Sequence, residues 1–171
     1  MTSFDTDQRN QNDRTNDPPF RPGLLVFFSV LSLVTLAAGG LLTSLGLGPW
    51  YRDLQIPWFQ PPAWAFTPAW LIIFVLLAIA TWRISRRGSI AGFALGLYGL
   101  QLVANALWSF FFFPMERPDL ALIDIFALDA MVIGMTVLYG RIDRTSGLLL
   151  LPYVVWLGLA TAINVWIVLY N

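Results

Sequence analysis

Tyr98, Gln101, Asn105, Trp108 and Ser109 fall within one otherwise apolar run. At about 100° per residue they gather on one side of a helix. Amide and hydroxyl groups are costly against lipid, so that side turns inward. Two uses are open. The groups can hydrogen-bond one helix to another, or they can line a cavity. Tyr98 and Trp108 favour an aromatic cavity wall. A second run repeats the pattern with Tyr153, Trp156, Ala160 and Asn164, where Ala160 leaves space beside Trp156. Such side chains can stack on a flat apolar molecule and give it a directional hydrogen bond.

A third aromatic source is WYRDLQIPWFQPPAWAFTPAW, residues 50–70. It holds Trp50, Trp58, Trp64 and Trp70 together with Pro57, Pro61, Pro62 and Pro68, and only Arg52 and Asp53 are charged. Prolines lower the entropy lost when a loop orders. Tryptophans offer flat apolar faces with one polar edge. Such a loop suits a stiff aromatic cover at the membrane surface, and Trp70, Trp108 and Trp156 come from three different helices. An interfacial belt accounts for Trp50, Trp58, Trp82 and Trp166; it accounts less well for Trp108, next to Asn105.

Other chemistry is disfavoured. The chain has no cysteine and no histidine, so it lacks thiol nucleophiles, thiolate metal sites and the commonest general base. Neither a glycine-rich phosphate loop nor a Gly-x-Ser-x-Gly turn occurs. Conventional hydrolysis and metal catalysis are not expected, and no metal or resident cofactor is assigned. With a net charge of zero and no basic patch, nucleic acid is not an expected partner.

The elements that position these residues must cross a membrane. The 171 residues are 57% hydrophobic and 12% charged, against about 25% charged in soluble domains. Uncharged runs lie between Arg21 and Arg52, Asp53 and Arg83, Arg87 and Glu116, and after Arg144, and Leu120 to Tyr139 carries only Asp124 and Asp129. Each reaches the roughly 20 residues that a spanning helix needs. The expectation is an all-α membrane protein, a five-transmembrane-helix bundle with helices near 24–46, 63–83, 90–113, 119–139 and 147–169. Pro68 then lies inside the second helix, and Pro152 in the first turn of the fifth. Asp129 receives no role. Residues 1–22 are polar, with four acids and three arginines, and are expected to form a disordered tail; residues 23–171 form the single transmembrane domain.

Alternating loops place Arg9, Arg14, Arg21, Arg83, Arg86, Arg87, Arg141 and Arg144 on one side, and only Arg52 and Arg117 on the other. The positive-inside rule then puts the N-terminus in the cytoplasm and the aromatic loop outside it. Gly88, Gly92 and Gly96 recur every fourth residue beside Gly99. Small residues allow close helix approach, so this face of the third helix is the expected homodimer interface, well away from the Tyr98–Trp108 face.

Trp50-Tyr51, Pro57-Trp58 and Pro61-Pro62-x-Trp64-x-Phe66-x-Pro68-x-Trp70 resemble the first loop of the translocator protein family. That family includes the tryptophan-rich sensory proteins and the peripheral-type benzodiazepine receptor. Gln101-Leu102-x-x-Asn105-x-x-Trp108-Ser109 resembles its third helix and Ala121-Leu122-Ile123-Asp124 the start of its fourth. Leu149-Leu150-x-Pro152-Tyr153-x-x-Trp156, followed by Ala160-Thr161-x-x-Asn164, resembles its fifth. The resemblance implies a dimeric five-helix bundle in a membrane, expected here to be a bacterial cell membrane. It would bind porphyrins of the protoporphyrin type and other flat apolar ligands, for sensing, regulation or transport. The implied pocket residues are Tyr51, Trp70, Asn105, Trp108, Trp156, Ala160 and Ile163. A light-dependent porphyrin-degrading enzyme is the alternative, with Trp70 and Trp156 as its reactive indoles. Arg52 is available to a ligand propionate.

Overall fold

The structure, a computed structural model, describes residues 21–87 and 91–171. Most of the expected polar tail, and Gly88 of the glycine series, lie outside the described residues. Regular structure among the described residues is entirely helical: α1 (Pro22–Gly46), α2 (Pro49–Asp53), α3 (Ala63–Ser85), α4 (Ala91–Phe112), α5 (Pro118–Ile142) and α6 (Arg144–Tyr170). All but α2 are long and apolar enough to cross a membrane. The shortest of these five, α4, has 22 residues and so measures about 33 Å, which matches a hydrocarbon core about 30 Å thick. The chain is an integral, multi-pass membrane protein.

Around the bundle the order is α1, α3, α6, α5, α4 and back to α1. The first helix is peripheral, and only Phe28, Ser32 and Gly46 of it are buried. The core runs along α3 to α6. On α5 it is the row Ala121, Ile125, Leu128, Val132, Met135 and Tyr139, spaced by three or four residues as one helix face requires. Lipid tails are as apolar as leucine, so packing and hydrogen bonds must join the helices. Three buried tyrosines do so. The Tyr98 hydroxyl donates to the Phe28 carbonyl at 2.9 Å, joining α4 to α1. Tyr139 pairs with Thr81 at 3.2 Å, joining α5 to α3. Tyr153 donates to Gln101 Oε1 at 2.9 Å, joining α6 to α4. Asp129 has a structural place as well, accepting from the Thr161 hydroxyl across α5 and α6 at 2.7 Å.

Two details differ from the sequence expectation. The last helix begins at Arg144, so Pro152 lies in its third turn instead of its first. Asp143 alone separates α5 from α6, and it supplies the cap that allows this early start. Its carboxylate accepts from the Ser146 backbone N–H at 3.0 Å. The same carboxylate takes Arg83 on both oxygens, at 2.8 and 3.0 Å, and Arg87 at 3.3 Å. The Arg83 hydrogen bond, assisted by Ser146, holds the Asp143 carboxyl well below the usual carboxylate range. Beside this turn Gly147 faces Gly140 so closely that a Cβ on Gly147 would lie 2.5 Å from the Gly140 Cα. The second difference is α2, a short helix inside the loop that composition did not announce.

At the opposite end the loop folds onto the helices. Trp50, Tyr51, Leu54 and Phe59 pack on a second core cluster of Phe112, Phe113, Ala121, Ile163 and Ile167. The Gln55 backbone N–H donates to the Asn171 side chain at 2.8 Å, tying the loop to the end of α6.

Candidate functional site

Beneath the loop, α1, α3, α4 and α6 stand around a cavity of about 450 Å³, a volume typical of small-molecule sites. None of its lining residues is charged. The fifth spanning helix, α5, does not contribute.

The aromatic wall is built on α3 and α6. Trp70 and Trp156 meet edge to face, with ring centroids 6.3 Å apart at 83°. Phe66 meets Trp156 in the same way at 5.5 Å. Pro68 lies between Phe66 and Trp70 inside the helix. Its ring nitrogen cannot donate, so the Trp64 carbonyl loses its backbone partner there. Facing this wall, Trp108 stacks on Phe112 at 5.3 Å and 29°. Its indole N–H donates to Asn164 Oδ1 at 3.0 Å, and Asn164 in turn donates to the Pro118 carbonyl at 2.8 Å. Trp108 is therefore held from behind. Trp156 is not: its Nε1 is buried with no hydrogen-bond partner.

Polar groups enter from α4 and the loop. Asn105 Nδ2 donates to the Tyr153 hydroxyl at 3.1 Å, and that hydroxyl donates onward to Gln101. This chain fixes the Asn105 amide, so that its carbonyl oxygen remains the free acceptor. From the loop, Gln60 Nε2 reaches the Tyr51 hydroxyl at 3.5 Å, and both side chains line the cavity.

Six of the expected pocket residues, Tyr51, Trp70, Asn105, Trp108, Trp156 and Ala160, share this one cavity. Ile163 stands apart, in the cluster under the loop with Phe112 and Phe113. Arg52 is exposed and does not line the cavity. The polar face of α4 divides by depth. Asn105, Trp108 and Ser109 reach the cavity, whereas Tyr98 and Gln101 lie deeper and join helices. On α6 the division repeats, with Trp156 and Ala160 in the wall and Tyr153 and Asn164 behind it. Gly92, Gly96 and Gly99 have nothing within 4 Å of an added Cβ, so they face outward from the bundle.

One contribution escaped the sequence reading. Thr35, Gly39 and Thr43, with Gly40 and Ser44 beside them, give the cavity its α1 side. Small residues repeated every fourth position were the available signal. A Cβ on Gly39 would come 3.4 Å from Ser109 Oγ, whereas at Gly40 it would meet open space.

Residues 24–169 match the model of the TspO/MBR family. The chain belongs to this family. A tryptophan-rich protein TspO of Archaeoglobus fulgidus is 35% identical over 84% of this chain and 94% of its own length. A tryptophan-rich sensory protein of Cereibacter sphaeroides is 36% identical, covering 78% of this chain and 87% of its own. The translocator protein of Sus scrofa is 32% identical over 87% of this chain and 90% of its own. The TspO/MBR match begins two residues into α1 and ends one residue before the close of α6.

Proposed function

We propose that this TspO/MBR protein binds flat apolar ligands of the tetrapyrrole class in the cavity beneath its loop, in order to sense or move them. The observation that carries this reading is the uncharged cavity of about 450 Å³ walled by indoles from three helices. Trp70 and Trp156 give an apolar face, and the Asn105 carbonyl gives a directional acceptor. The names of the sensory and translocator relatives agree with sensing or movement. With no histidine or cysteine, axial iron ligation is left to weaker groups such as Met or Tyr. Metal-free protoporphyrin should therefore bind at least as well as haem. Trp156→Ala should weaken binding by about 1–3 kcal/mol if stacking on the ring resembles other base–aromatic stacking. Titration followed by tryptophan quenching tests both points. Much tighter haem binding, with the spectrum of strong axial coordination, would reject the reading.

The edge-to-face pair Trp70–Trp156 favours a second reading, in which these indoles take part in light-dependent porphyrin breakdown. Product analysis of illuminated and dark protein with protoporphyrin separates the two.

The arginine distribution places the N-terminus in the cytoplasm, and a bacterial cell membrane is the proposed setting. A phosphatase fused to the C-terminus should then be active in a bacterial host, while one fused after Arg87 should not. The outward glycine face of α4 is the proposed homodimer seam. Gly92→Leu with Gly96→Leu should give a monomer that still binds ligand, and an unchanged dimer on cross-linking would remove the seam.

A further inference from the structure

A second hollow lies on the outer side of the bundle between α3 and α6. It is a groove of about 520 Å³ whose lining includes Ala69, Ile72 and Ile73 from α3 and Leu148, Pro152 and Val155 from α6. Val155 is 73% exposed and Ile72 57%, so the groove opens on the surface that lipid covers. It has no charged residue in its lining, and Leu151 and Trp156 complete its wall. That indole also lines the internal cavity. Trp156 is therefore the residue that the groove and the candidate ligand site have in common.

Two independent features suit that side chain to moving. Its ring contacts, with Phe66 and Trp70, are edge-on, and its buried N–H has no hydrogen bond to hold it. Trp108, by contrast, is anchored to Asn164 at 3.0 Å. Each helix beside the groove also carries an internal proline, Pro68 in α3 and Pro152 in α6. Each proline removes one rung of the backbone hydrogen-bond ladder and gives the helix local slack. The loop is closed more firmly, by four side chains packed on the second core cluster and by the Gln55–Asn171 tie.

We propose that the α3–α6 groove is a lateral portal by which a flat apolar ligand passes between the bilayer and the internal cavity, with the Trp156 indole as its gate. The portal rests on the reading of the cavity as the ligand site. A ligand that partitions into hydrocarbon need not cross the headgroup layer or lift the loop, because the groove is apolar throughout.

The test adds bulk on the lipid side while leaving the cavity wall intact. Ala69→Phe and Val155→Phe narrow the groove from opposite helices, and neither residue lines the cavity. The protein in lipid vesicles is mixed with protoporphyrin, and binding and release are followed by stopped-flow quenching. A portal alters the barrier and not the end states. Association and dissociation should both slow about tenfold, a barrier raised by about 1.4 kcal/mol, and Kd should not change. The unchanged Kd also reports that each variant is folded. Unaltered rates in both variants, with binding intact, would overturn the portal and leave the groove as a seat for lipid acyl chains. Absence of protoporphyrin binding by the unmodified protein would instead overturn the cavity reading, and the portal with it.

Discussion

Where α5 turns into α6, a single residue makes the connection, and its carboxylate binds two arginines and caps a helix. Gly140 and Gly147 bring the two backbones into contact there. At the loop end the same bundle holds four helices apart around a cavity, and Gly40 of α1 faces open space. The first end is closed by ion pairs and backbone contact at a single turn, whereas the second keeps a cavity beside the tight seat of the loop, where a Cβ on Gly46 would lie 2.5 Å from Phe113 Cβ. In lipid, apolar surface alone does not drive helices together. An end meant to stay open therefore depends on fixing the helices elsewhere.

The glycines give this contrast its largest expected effect. A Cβ on Gly147 would stand 2.5 Å from Gly140 Cα, 2.8 Å from its nitrogen and 3.1 Å from the Thr136 carbonyl oxygen, all backbone atoms that cannot swing aside. Gly147→Ala should cost about 3 kcal/mol, the upper end of ordinary overpacking. Gly40→Ala meets nothing within 4 Å and should change stability by less than about 1 kcal/mol, in the favourable direction that helix propensity gives. Thermal unfolding in detergent checks the pair, and equal losses at the two sites would abolish the distinction between the ends.

The Asp143 cluster comes next. Asp143→Ala removes the α6 cap and both arginine partners. The loss should be about 1–2 kcal/mol, mainly from the cap, because the arginines are partly exposed and solvent screens such pairs. The sign of the pH dependence follows from the lowered pKa of this carboxyl. A depressed folded-state pKa contributes stability that is whole above the ordinary carboxylate value and is lost as pH falls through the folded one. Acid should therefore erode the difference between the native protein and Asp143→Ala, and mild alkali should not. A difference that grew on acidification would contradict the ion pairs.

The five spans were legible because charge is so sparse: four runs are uncharged and the fifth holds only Asp124 and Asp129, and most helix ends fall near a flanking arginine or acid. The polar face of α4 was legible as a face. Its division into cavity wall and helix-joining groups was not, because periodicity reports an angle around the axis and not a depth along it. Tyr98 and Asn105 share the angle; only tertiary packing sends one to the Phe28 carbonyl and the other to the cavity floor. The start of α6 was misplaced because Arg144 and Thr145 read as loop. Asp143 at N-cap spacing from Ser146 was the signal that would have moved it. The α1 side of the cavity stayed hidden for a different reason. It is made by small residues, whose one signal was the four-residue repeat of Thr35, Gly39 and Thr43, with no aromatic or amide side chain to mark it.

The smallest expected effect compares two tryptophans of the candidate site. Trp108→Phe keeps an aromatic ring but removes the donor to Asn164 Oδ1, which sits on a residue with no solvent exposure. An acceptor left unpaired there should cost about 1 kcal/mol of stability or somewhat more. Trp156→Phe removes an N–H that is buried without a partner, so it breaks no hydrogen bond and relieves a desolvated donor. Its loss should be smaller than that of Trp108→Phe, although both exchanges delete the same atoms. Ligand affinity should then move in the opposite order, because the Trp156 ring is free to lie against a ligand and the Trp108 ring is fixed by Asn164 and stacked on Phe112. Parallel melting curves and protoporphyrin titrations of the two variants read both orders at once. Equal stability losses would mean that the Asn164 bond does not hold the Trp108 wall, and the division between an anchored and an unanchored indole would fall with it.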